Sequence, residues 1–229
     1  MISLAVVLIP AALMEFPLGA PAVDAYTAQI IILGGINAIM AISVNVICGI
    51  TGQLSLGQAG FQALGAYSVI LLTSECGIPL PVSIILGGLI AAFFGFLIGF
   101  PTLKLEGDYL AIVTLAFGEI IRVVLVNLKG ITGGPNGKQF STVFTTSLDH
   151  GAAISYLSVI GSLVLIIVLL QNFLRSTYGR AILAVREDPV AANSNGIGVF
   201  RYKMIGFVIA SFIAGIGLLM FDGHILFIS

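Results

Sequence analysis

Few residues in this chain are able to do chemistry, and their spacing decides what they can do. Glu119 and Arg122 lie three apart in GDYLAIVTLAFGEIIRVVLVN, so on a helix they share a face and can form an ion pair. An intramembrane carboxylate is a functional candidate, but a paired one also holds helices together, and Arg122 is long enough to snorkel from near the outer end of its span. The pair reads as structural. Asp149 and His150 precede another apolar run, and the second histidine, His224, is far away, so neither a metal site nor a catalytic triad can be assembled. GGPNGK imitates a phosphate loop and fails as one. Thr132 stands where the first glycine belongs, and Lys138 is followed by Gln139 where Ser or Thr is needed. Pro135, Asn136 and Gly137 form a tight turn instead. No catalytic residue, bound metal or directly bound cofactor is expected, and an intramembrane enzyme would need paired catalytic groups beyond Glu119 and Arg122.

Uncharged polar groups are more suggestive. GITGQLSLGQAGFQALG, from Gly49 to Gly65, is too polar and too rich in glycine for a plain lipid-facing helix. Gln58 and Gln62 are one turn apart, and unpaired amides are costly in hydrocarbon, so both must face protein or a watery cavity. Discontinuous helices along a transporter's substrate path have this composition, because glycine permits an unwound backbone whose polar groups can meet a ligand. Asn45, Gln53, Ser55, Gly57, Gln58 and Gln62 are therefore candidate path residues. The competing reading is tight packing: Ser55, Ala59, Ala63 and Ala66 make a small-residue stripe along which another helix can approach.

The longest charged interruption is FLRSTYGRAILAVREDPVAANSNGIGVFRYK, Phe173 to Lys203, which carries five of the nine basic residues. Asp188 is a suitable N-cap and Pro189 a suitable first helical residue, and Gly196 supplies the stop. The enclosed short helix, with Val190, Ala191 and Ala192 as its small apolar content, has the form of a docking element. A basic loop that merely obeys the positive-inside rule is the alternative.

These residues must be positioned by membrane spans. Of 229 residues, 59% are hydrophobic and only 8% charged, which excludes an ordinary soluble domain. A net charge of −1 gives no field for nucleic acid. Cys48 lies within an apolar run and Cys76 in a short loop, too far apart in depth for a disulfide. With about 20 apolar residues per crossing, seven candidate spans emerge, near 2–14, 27–50, 57–73, 80–100, 109–127, 152–172 and 203–221. The first is short and lacks the basic start of a signal peptide. The expected fold is all-α, a polytopic transmembrane helical bundle of about seven spans. If the 173–203 stretch is cytoplasmic, that side holds Lys104, Arg175, Arg180, Arg186, Arg201 and Lys203, against Lys129 and Lys138 outside. Glu106 and Asp108 share the inner loop with Lys104, and Gly95 and Gly99 mark a close helix contact in the span before it.

GDYLAIVTLAFGEIIRVVLVN, ITGGPNG and GRAILAVREDPVAANSNGIGVFRYK together resemble the membrane permease subunit of branched-chain amino-acid ABC importers, over Leu33 to Phe221. In ABC importers a short cytoplasmic helix with two alanines, and a glycine four positions after the second, docks on the ATPase. Ala191, Ala192 and Gly196 match it, Val190 stands where the pattern has glutamate, and no Leu-Pro follows. The resemblance implies ATPase coupling through Arg186, Glu187, Asp188, Pro189, Ala191, Ala192 and Gly196. It also implies a second related permease, two cytoplasmic ATPases that bind the ATP, a periplasmic amino-acid-binding protein, and a multi-pass place in the bacterial inner membrane. Residues 1–229 are then a single transmembrane permease domain, cut short at its C-terminus. Related permeases carry urea, amides or sugars, so cargo stays open among these and branched-chain or similar neutral amino acids. An ion-coupled secondary transporter using Glu119 is the other alternative; it needs no docking helix and usually shows internal repeats.

The charge asymmetry makes a topological prediction. Single cysteines replacing Ser194 and Thr145, in a background without Cys48 and Cys76, should label from opposite sides of intact cells. Labelling of both from outside would refute the assignment.

Overall fold

A computed structural model describes residues 25–103, 108–134 and 151–217. The first candidate span, Lys104, Glu106, Lys138, the turn at Pro135, Thr145, Asp149, His150 and His224 lie outside the described residues. All regular structure among the described residues is helical. Helix α1 is Ala25–Val44, continued by a π-helical turn Asn45–Ile50, and a segment without regular secondary structure leads into α2, Gln58–Ser74. Then come α3, Leu80–Thr102, α4, Asp108–Asn127, and the single turn α5, Lys129–Thr132. The last part holds α6, Gly151–Arg175, α7, Thr177–Glu187, α8, Pro189–Ser194, and α9, Val199–Gly217.

Four stretches of described helix are long and apolar enough to cross a membrane, or five if α6 and α7, bent by 76°, count as one broken span. The expected crossings at 27–50, 80–100, 109–127 and 203–221 correspond to α1 with its π turn, α3, α4 and α9. The 57–73 candidate is α2, only 17 residues long. The charged 173–203 stretch is more ordered than a loop with one helix: α7 precedes α8, and α9 begins early enough to contain Arg201 and Lys203. Ser176 caps α7 by accepting a hydrogen bond from the Gly179 N–H, and Gly179, Ile182 and Val185 bury one face at helical spacing.

Helix α9 is central and packs on α1, α2 and α3. In lipid no hydrophobic effect drives helices together, so close approach of small residues must supply the attraction. Along α3, Gly87, Gly88, Ala91, Gly95 and Gly99 form the inward stripe, while Leu89, Phe93, Phe96 and Phe100 face out. Gly95 lies against Ser211, and Gly99 against Met204 and Phe207, as the GxxxG spacing implies. On α2, Gly65 lies directly on the Gly215 backbone, and Gly60 lies against Gly118 of α4, where a Cβ would stand 2.9 Å from its Cα. Of the expected stripe of Ser55, Ala59, Ala63 and Ala66, Ser55 precedes the helix and Ala59 is exposed, while Ala63 packs on Tyr67, Ile121 and Leu125, and Ala66 is fully buried in a cluster with Val69, Leu80 and Ile84. Phe61 fills the centre, tilted on Phe117 at 5.1 Å and edge-on to Phe207 at 5.7 Å.

A Cβ at Gly215 would stand 2.5 Å from Ala91 Cβ and 3.3 Å from Gly88 Cα, where only backbone could yield. Gly215→Val should therefore destabilise the protein by at least about 1–3 kcal/mol, seen as a lowered Tm in detergent. Gly161→Ala, on α6 with nothing within 4 Å, should leave Tm unchanged or raise it.

Candidate functional site

The site is built on the interruption between α1 and α2. Gly52 has φ +66, a left-handed conformation that glycine adopts without penalty, and it turns the chain out of the π-helical turn. From there to Gly57 the chain has no regular secondary structure, and its burial alternates in a sense opposite to that of a water-facing strand. Thr51, Gln53, Ser55 and Gly57 point inward; Gly52, Leu54 and Leu56 point outward. Polar groups thus face protein and leucines face the surroundings, as a non-aqueous environment requires.

Helices on three sides hold this segment. The Thr51 hydroxyl donates to the Ile47 carbonyl at 2.6 Å, and Gln53 Nε2 donates to the Lys203 carbonyl of α9 at 3.1 Å. The Leu56 N–H donates to Thr114 Oγ1 of α4 at 3.1 Å, and Gly57 lies so close to the Thr114 carbonyl that a Cβ there would be 2.5 Å from its oxygen. At the start of α2, Ser43 Oγ is 2.8 Å from the Ala210 carbonyl and 2.9 Å from Gln58 Oε1. One hydroxyl proton cannot serve two acceptors. Turning the Gln58 amide so that its NH₂ donates to Ser43, while Ser43 donates to Ala210, satisfies the triad.

Three buried polar groups here remain incompletely paired: Gln53 Oε1, Ser55 Oγ and one end of the Gln58 amide. Gln53, Ser55 and Gln58 are each less than 5% exposed. Of the path residues expected from sequence, Gln53, Ser55, Gly57 and Gln58 come together here. Asn45 is exposed, its side chain lying over Gly49, and Gln62 is half-buried one turn further along α2, toward Gly217. Ser43 and Thr114 complete the site and carried no sequence signal, because a lone hydroxyl in a span commonly bonds its own helix. Thr114 also does that, donating to Ala111 at 3.0 Å.

The second candidate element is α8. Asp188 Oδ1 accepts from the Val190 and Ala191 N–H groups at 2.8 and 3.0 Å, Pro189 is the first helical residue, and Gly196 has φ +79. Arg186, Glu187, Asp188, Pro189, Ala191 and Gly196 are exposed. The small apolar residues divide: Val190, 75% exposed, and Ala191 face outward, whereas Ala192 is buried against the chain itself. Glu119 and Arg122 form their ion pair bidentately, at 2.6 to 3.1 Å, with both side chains more than half exposed on the face of α4 turned away from α2.

The chain matches the family model described as branched-chain amino acid transport system / permease component over residues 26–221. It is 37% identical over 228 aligned residues to the high-affinity branched-chain amino acid transport system permease protein LivM of Escherichia coli (strain K12), covering 89% of this chain and 54% of that protein. It is 25% identical over 139 residues to the probable branched-chain amino acid transport permease protein LivM of Methanocaldococcus jannaschii, covering 58% and 40% of the two chains. A nucleoside ABC transporter permease protein of Lactococcus lactis, NupC, is 23% identical over 181 residues, covering 72% and 57%. The chain spans about half the length of the curated relatives it matches. No solved structure matches it.

A buried hydroxyl without a partner costs about 1–3 kcal/mol, so Ser55→Ala should leave Tm unchanged or raise it. A lowered Tm would mean that the hydroxyl has a structural partner and is not held open.

Proposed function

This chain belongs to the permease-component family of branched-chain amino acid transport systems, and from that premise we propose that it is a permease subunit of an ATP-driven importer for branched-chain or similar neutral amino acids. It works as a bundle of seven spans in the inner membrane, beside a second related permease. Two cytoplasmic ATPases bind and hydrolyse the ATP, and a periplasmic binding protein delivers the amino acid. The subunit performs no chemistry itself.

One observation carries the substrate path: three incompletely paired buried polar groups on a broken transmembrane segment, at the N-terminus of a 17-residue helix. A zwitterion needs a donor-rich place for its carboxylate and an acceptor for its ammonium. The orphan N–H groups at the start of α2, with the Ser55 hydroxyl, suit the first, and Gln53 Oε1 suits the second. The site needs no full counter-charge, which suits a net-neutral cargo. Since these atoms are closed off, access requires the Thr51–Gly57 segment to shift, the movement that alternating access supplies. Ser55→Ala should therefore reduce uptake of radiolabelled leucine by the reconstituted complex without loss of stability. Competition by urea and by other amino acids defines the cargo; a chain whose leucine uptake is abolished by urea is an amide permease.

Driving force enters through α8. Its Asp188 and Pro189 start makes a rigid knob, and Val190 and Ala191 offer a small apolar surface to a groove in the ATPase. Val190→Glu puts a charge into that contact, and burying it unpaired costs several kcal/mol, enough to weaken docking by orders of magnitude. Because Val190 is exposed in the isolated chain, membrane insertion and Tm should be unaffected, while co-purifying ATPase and uptake are lost. Retention of both would remove α8 from the coupling route and favour ion-coupled transport.

A further inference from the structure

The inner end of the polar segment is joined to the elements that flank α8 by three contacts. The stem of Arg186, at the end of α7, lies on Gly52, where a Cβ would stand 2.9 Å from Arg186 Cγ and 3.6 Å from its Cβ. Thr51 is wedged against Gly206 of α9 so closely that a Cβ on Gly206 would collide with Thr51 Cγ2. Gln53 Nε2 donates to the Lys203 carbonyl of α9. Arg186 is exposed as a residue, yet its aliphatic part covers a glycine. Residue 52 is restricted to glycine by its positive φ and by the lack of room.

We propose that Thr51, Gly52 and Gln53, with the end of α7 and the start of α9, form one rigid block that carries movement of α8 directly to the polar segment, so that Gly52, Gly206 and Arg186 are positioning residues for transport. This rests on the reading of α8 as the ATPase contact. The three contacts leave no slack: two are close packing of a side chain on a glycine, and the third is a hydrogen bond to a helix backbone. A push on α8 displaces its neighbours on either side, and between them these hold the three residues: α7 through Gly52, α9 through Thr51 and Gln53. The opposite end of the segment is attached elsewhere, through Leu56 and Gly57 to α4 and through Gln58 to Ser43, so displacement of the inner end alone bends the segment and exposes Ser55.

Two experiments on the reconstituted complex test this. Gly52→Ala places a Cβ on the Arg186 stem at a positive φ and should lower uptake about fivefold or more while the ATPase stays bound. Uptake at the level of the unsubstituted chain overturns the proposal. Gly206→Ala should force Thr51 away, lowering uptake about fivefold or more while the ATPase stays bound and ATP hydrolysed per molecule transported rises. Thr51→Ser, which removes Cγ2 and keeps the hydroxyl bonded to Ile47, should restore uptake in the same chain. Uptake untouched by Gly206→Ala, or not restored by Thr51→Ser, also overturns it. Failure of the α8 reading looks different, since Val190→Glu would then keep its ATPase while these variants behave as stated.

Discussion

The close contact of glycine backbones at the junction of α2, α3 and α9 is the constraint on which the remaining arrangement depends. Gly65 on Gly215, and Gly87 and Gly88 beside them, bring three helices nearer than any larger side chain would allow. In hydrocarbon such contact gains dispersion energy over many atom pairs, each small, and brings carbonyl groups within reach of side-chain donors. It sets the depth of α9 relative to α1 and α2, and that depth places the Ala210 carbonyl opposite Ser43 and the Lys203 carbonyl opposite Gln53. The unwound segment persists because a stiff frame surrounds it.

What a reader of the sequence can see here follows from how local each cause is. The short helix α8 is legible because Asp188, Pro189 and Gly196 act on their own neighbours, and the Glu119–Arg122 pair because both residues sit on one helix. The break between α1 and α2 is legible as composition, since glycine in an apolar run permits an unwound backbone. Tertiary facts are not legible. Four small residues in and just before α2 suggested a packing stripe, and Ala66 is buried, but the close backbone contacts fall at Gly57, Gly60 and Gly65, because those are the positions where α4 and α9 pass. The inward turn of Ala192 depends on how α8 lies on the chain, which no spacing reveals. Helix α7 is a different case: Ser176 as cap and the Gly179, Ile182, Val185 periodicity were present, but the surrounding charge made the stretch read as a loop.

The polar segment also shows how a membrane protein keeps reactive hydrogen-bonding capacity without a charge. Amides and hydroxyls left partly unpaired cost a few kcal/mol, whereas an ionised group in the same position costs far more or changes its protonation. Gln53, Ser55 and Gln58 lie at the affordable end of that range, enclosed by chain and flanked by outward leucines. The one charged pair on α4 obeys the same rule by cancelling itself at 2.6 Å.

The central place of α9 has a consequence for synthesis. Ser43 and its acceptor at Ala210 are separated by 167 residues, and translation at about 5–20 residues per second puts on the order of ten seconds between their appearances at the ribosome. During that interval α1, α2 and α3 are in or near the bilayer with the groove for α9 empty, and with Ser43, Gln53 and the face of Gly65 uncovered. The nascent chain must wait in a half-built state whose exposed amides invite wrong partners. Shelter for the early helices until the late one arrives shortens that exposure, and a ribosomal pause or a slow codon run before α9 lengthens it.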